Sequence, residues 1–102
     1  MAFIIIYITF ENEEEARKVI KHLLEKRLVA CGNIFPIKNM YWWKGKIEEG
    51  SEFVSIVKTK SENWEKVRDE VKKIHSYKIP CIMKINVESN KEFEEWINKE
   101  VE

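Results

Sequence analysis

The sequence predicts an α+β fold, a ferredoxin-like split βαβ sandwich in the order β-α-β-β-α-β-α. Three observations lead there. Segments with period-two or continuous apolar patterning alternate with segments of helical spacing in that order. Right-handed crossovers then place the first and third strands in the middle of a four-stranded sheet, with the second and fourth at its edges. Both prolines, Pro36 and Pro80, fall in the strands predicted to be edges, where a missing N–H does least harm.

Each element has its own signature. Phe3 to Phe10, FIIIYITF, is nearly continuous and β-branched, so it reads as a central strand covered on both faces. Asn12 offers an N-cap with Glu15 as its capping-box partner. Ala16, Val19, Ile20, Leu23, Leu24 and Leu28 follow at helical spacing, with Lys18, Lys21, Glu25 and Lys26 on the wet side. Leu28 to Trp43 reads as extended, with Pro36 demanding a bulge or an edge. Lys44-Gly45 is a short turn, and Lys46 to Lys60 returns as a strand with a bulge or secondary turn at Glu48 to Ser51. Ser61 is the expected cap of a helix whose stripe is Trp64, Val67, Val71 and Ile74. Ile79 to Val87 is the fourth strand. Ser89 and Glu92 form a second capping box before a last helix that carries Phe93, Trp96, Ile97 and Val101 on one face.

At 102 residues the chain makes one domain, spanning 1–102. The 18 basic and 18 acidic residues cancel, so no basic field points to nucleic acid. The apolar run from Ala2 to Ile6 is too short for a membrane span or a signal core, and the cytoplasm is the expected compartment. Cys31 and Cys81 belong to no CxxC or Cys/His cluster and read first as buried thiols.

The aromatic run Tyr41-Trp42-Trp43 is the unusual feature. On a strand, Tyr41 and Trp43 share one face and Trp42 takes the other. A strand from Ala30 to Trp43 would span about 45 Å, against roughly 35 Å for a compact domain of this size. The hairpin should therefore overhang its sheet, and an overhanging hairpin cannot cover both its faces alone. Burying one Trp removes about 200 Å², roughly 5 kcal/mol gross at ~25 cal/mol per Å². Closure into a ring of copies would cover the aromatics and the open edges together. Packing of all three rings under the last helix of the same chain is the alternative.

Taken together, Cys31 with Asn33, Tyr41-Trp42-Trp43-x-Gly45-x-Ile47-Glu48, Lys58-Thr59 and His75-x-Tyr77-x-x-Pro80 resemble, in order and spacing, the CutA family of divalent-cation-tolerance proteins. The resemblance covers nearly the whole chain. It implies a tight homotrimer built by long hairpins, with Tyr41, Trp42 and Trp43 at the interface. It also implies a non-enzymatic role in tolerance to copper or another divalent metal ion, bound weakly and not required for folding.

The chain departs from the family pattern at several places. Ser76 stands where members usually carry Pro, and Cys81 where a Glu is common; Ile8 and Ile74 hold places that are Cys and His in some members. Of that metal set only His75 survives. Cys81, six residues on, is the one new soft donor beside it. A structural role at the helix C-terminus is the other reading of His75. A fold-level analogy with trimeric PII-type signalling proteins suggests a small-ligand sensor, whose inter-subunit cleft would draw on Cys31, Asn33, Lys58, Thr59 and Tyr77.

Overall fold

The computed structural model describes residues 3–102; Met1 and Ala2, the latter opening the N-terminal apolar run, lie outside them. The elements are β1 (Phe3–Phe10), α1 (Glu13–Glu25), β2 (Cys31–Trp43), β3 (Lys46–Lys60), a single 3-10 turn (Ser61–Asn63), α2 (Trp64–Ile74), β4 (Ile82–Val87) and α3 (Lys91–Glu100). The four strands pair antiparallel in the order β2-β3-β1-β4. The predicted order and the predicted edges are those observed.

Strand register assigns every side chain to a face, because directly paired residues point the same way. Ile4, Ile6, Ile8 and Phe10 of β1 face the same side as Val57 of β3, and all five are buried. Against them pack Ala16, Val19, Ile20 and Leu23 of α1 and Val67 and Val71 of α2. The other side carries Ile5 and Tyr7, which are only half-buried. β1 is thus fully covered on only one face in the single chain, where its run of apolar residues implies two. The α3 helix reaches this second side only at one end, where Phe93 meets Phe3 edge-on at 5.9 Å.

The helix ends show where local signals lose to tertiary ones. At α1, Asn12 Oδ1 accepts from the Glu15 N–H at 2.8 Å, as its spacing requires, but Glu15 Oε1 has no hydrogen-bond partner. The helix stops at Glu25 because Arg27 takes φ 58°, so Leu28 packs on the core from beyond it. Ser61 does not cap α2; it opens the 3-10 turn. The helix begins at Trp64 after Asn63, whose side chain instead donates to Thr59 Oγ1 at 3.1 Å and to the Leu28 carbonyl at 3.3 Å. Asn90, not Ser89, precedes α3, and Ser89 Oγ donates to the Asn90 carbonyl. β4 starts at Ile82 rather than Ile79, since β1 ends at Phe10 and the Thr9 carbonyl is engaged by His75.

No bulge interrupts the long hairpin. β2 and β3 pair without a break from Cys31 opposite Lys58 to Trp43 opposite Lys46, with Glu48 to Ser51 in regular register. Pro36 is accommodated because β2 is an outer strand. Lys44 and Gly45 close the turn with φ 50° and 79°, the twist of a primed two-residue turn.

Candidate functional site

The hairpin outruns its sheet. β1 pairs with β3 only from Lys60 to Phe53, so residues 37–52 form a two-stranded arm. The molecule measures 45 × 24 × 21 Å, the long axis matching the span predicted for β2. On one side of the arm Trp42 pairs with Ile47, 72% and 60% exposed, next to Met40 at 69%. On the other side lie Tyr41 and Trp43, 49% and 45% exposed. Lys44 Nζ sits 5.9 Å over the Trp43 ring. Neither side rests on α3, so the packing alternative considered from sequence is not what the chain adopts.

The Tyr41 and Trp43 side continues into the sheet proper. Register places Phe35 and Ile37 of β2, Ile56 of β3, Ile5 and Tyr7 of β1 and Met83 and Ile85 of β4 on that same face. Phe35, Met83 and Ile85 are exposed there. An apolar sheet face therefore runs on from the aromatic arm.

At the root of the arm lies a polar cluster that joins four segments. His75 caps α2, its N–H bonding the Val71 carbonyl. Its imidazole has no solvent exposure. Nε2 lies 2.7 Å from the Thr9 carbonyl, and Nδ1 accepts the Tyr77 N–H at 3.0 Å. Phe10 stacks on the ring at 4.9 Å. Tyr77 Oη donates to Glu52 Oε2 at 2.6 Å, and Asn39 Nδ2 donates to the other oxygen of that carboxylate. Burial and then the Glu52 hydrogen bond push the Tyr77 phenol up, with Glu52, Glu11 and Glu15 adding like charge, so Tyr77 is a donor here. Burial raises the Cys81 thiol, and Glu52 raises it further, which disfavours the thiolate that binds soft ions.

The residues assigned to a ligand cleft fall in separate places. Cys31 pairs with Lys58, and Lys58 Nζ bonds Asn33 Oδ1, all on the apolar sheet face. Burial raises the Cys31 thiol, and the Lys58 charge opposes it. Lys58 and the Glu52 partner of Tyr77 are six positions apart on β3, about 20 Å at ~3.3 Å per residue. Thr59 lies on the opposite, buried side and donates to the Leu28 carbonyl at 2.7 Å, anchoring the connection between α1 and β2. Among the described residues no group of three or more His, Cys, Asp or Glu side chains is arranged to hold a metal ion. Glu52 and Asn39 were invisible to sequence reasoning, since one Glu in a charge-rich chain carries no signal until register and loop path bring Tyr77 to it.

The arrangement defines a class: a ferredoxin-like chain with an overlong aromatic hairpin and a partly uncovered sheet face. Residues 4–100 match the family described as CutA1 divalent ion tolerance protein, and the chain belongs to that family. It is 57% identical over 98 residues to the divalent-cation tolerance protein CutA of Archaeoglobus fulgidus, covering 95% of this chain and 96% of that one. A structure described as the periplasmic divalent cation tolerance protein CutA from the same organism aligns with a TM-score of 0.95 at 55% identity, over 98% of this chain and 99% of that one. The crystal structure of CutA1 from Pyrococcus horikoshii aligns at 0.93 with 40% identity, over 97% and 98%. No helix among the described residues is long and apolar enough to cross a membrane.

Proposed function

We propose that the chain acts without catalysis in divalent-cation tolerance as a homotrimer, each hairpin covering the sheet of a neighbour. The observation that carries the assembly is the arm itself, with a Trp–Ile pair exposed on one side and a Tyr and Trp on the other, continuous with an apolar sheet face. A soluble single chain rarely leaves so contiguous an apolar surface open. Three copies related by a closed rotation would bury it without leaving free edges.

Copper and other divalent cations are bound weakly in this reading, by surface carboxylates with Cys81 as the softest donor. The raised thiol and the scattered donors support weak rather than caged binding. The family's role in divalent ion tolerance supplies the link to divalent ions. Residence in the cytoplasm belongs to the same reading, and recovery of the native protein with a periplasmic marker would remove it.

Sedimentation equilibrium of the native chain tests the assembly; a mass of three chains at micromolar concentration is expected, and a well-folded single chain would overturn it. Copper titration calorimetry tests the chemistry. Weak heat, reduced in Cys81→Ser, is expected. A tight stoichiometric site indifferent to Cys81 would contradict it.

A second reading, a PII-like small-ligand sensor, is favoured by one observation. Lys58, Asn33 and Cys31 are joined on the sheet face that assembly would cover, well away from Tyr77. A cleft using both groups would need two chains. A thermal shift with an anionic metabolite, lost in Lys58→Ala, is its expected signature.

A further inference from the structure

We propose that His75 is not a metal ligand in this chain but a positioning residue, an Nε2–H imidazole that ties the end of α2 to the end of β1 and so sets Tyr77 against the root of the hairpin.

The ring's own bonds assign its state. A backbone amide can only donate, so Nδ1, which takes the Tyr77 N–H at 3.0 Å, carries no proton. A carbonyl can only accept, so Nε2, at 2.7 Å from the Thr9 oxygen, carries one. Both in-plane positions that could face an ion are therefore engaged inside the protein. Glu15 Oε1 approaches Nδ1 only to 4.0 Å, beyond hydrogen-bond reach, and does not displace the amide. Above the ring lies Phe10, and Tyr77 tilts against it at 4.9 Å. An ion would have to strip a backbone donor or a backbone acceptor of its partner, and enter a place without solvent access.

The same bonds give His75 a task. Residues 66 and 2 positions away in sequence meet on one ring, Thr9 and Tyr77. Tyr77, held by its amide, then directs its hydroxyl to Glu52, and Glu52 takes Asn39 from the facing strand. The imidazole is the first link of a relay from the helix layer to the arm. The assignment stands whether or not the chains assemble and whether or not cations bind elsewhere.

Long-range proton–nitrogen NMR of the histidine rings tests this on the native chain, titrated with zinc chloride. The expected result is an Nε2–H pattern for His75 that zinc leaves unchanged; an Nδ1–H pattern, or a zinc-induced shift of either His75 nitrogen, would overturn the assignment. In His75→Gln, zinc affinity should be unaltered while amide exchange near Asn39 and Glu52 accelerates. An affinity loss of about tenfold, the scale of a disrupted metal site, would count against the first half. Unchanged exchange at the hairpin root would count against the second. Should the variant fail to fold, the native spectrum still decides the ring's role.

Discussion

At the scale of single residues, charge is used to tie elements together. Glu70 of α2, its side chain 13% exposed, takes His22 Nε2 at 2.7 Å, Lys26 Nζ at 3.2 Å and Lys73 Nζ at 3.5 Å. His22, which its spacing alone leaves as a rim residue, thus bridges α1 to α2. The His22 and Lys26 hydrogen bonds hold the Glu70 carboxyl down at about 2, below its ordinary 4.5. A depressed carboxylate contributes stability that is complete above its unfolded value and disappears as pH falls through its folded one. Glu70→Gln should therefore melt lower than the native protein at neutral pH, and the gap should close between about pH 4.5 and 2. Melting curves across that range check it; a gap that persists at pH 2 would exclude the pairing as its cause. None of this was legible in the sequence, because a Glu on a charged helix face gives no sign of which partners the next helix will bring.

Two glycines show how elements are shaped, for opposite reasons. Gly45 has open space around it but φ 79°, so a side chain there is strained by the backbone alone. Gly32 has no such backbone demand, but a Cβ would lie 3.1 Å from Val57 Cγ1 and 3.2 Å from Ile20 Cγ2. Those two side chains are buried in the core, so one of them would have to give by a few tenths of an ångström where packing leaves little room. Gly45→Ala should cost about 1–2 kcal/mol, and Gly32→Ala about 1–3 kcal/mol. The rescue distinguishes them. Asn tolerates the left-handed region, so Gly45→Asn should recover most of the loss, whereas Gly32→Asn should be worse than Gly32→Ala. Denaturant midpoints report both. The turn at Gly45 was readable from its sequence and flanking strands, but the close approach at Gly32 depends on where α1 lands, which no local pattern states.

For the whole molecule, the hairpin decides the behaviour. Trp42 lies 72% exposed in the single chain, with Ile47 as its cross-strand neighbour, so most of its apolar surface is left for another copy to cover in the proposed trimer. Truncating a large aromatic anchor in an interface typically costs about 2–4 kcal/mol per copy. In the proposed trimer, Trp42→Ala should therefore dissociate at concentrations where the native chain is expected to stay assembled, and its melting temperature should depend on protein concentration. An unchanged sedimentation mass and a concentration-independent melt would show that the arm faces solvent. The overhang itself was predictable, since strand length follows from residue count at a fixed rise and the domain's diameter from chain length.

The sequence by itself determined the order of the elements, the inward stripes of α1 and α2 and which strands lie at the edges. Those properties are local or nearly so: periods of two and 3.6 residues are written along the chain, and proline excludes itself from a ladder. Only the tertiary structure decided which polar groups meet. His75 reached Thr9, Tyr77 reached Glu52, and Asn63 bonded the Leu28 carbonyl and Thr59, while Ser61, the expected cap, opened a 3-10 turn instead. A hydrogen bond requires placement within a few tenths of an ångström, and that placement is set by strand register and the path of the connections, neither of which leaves a periodic trace in the sequence.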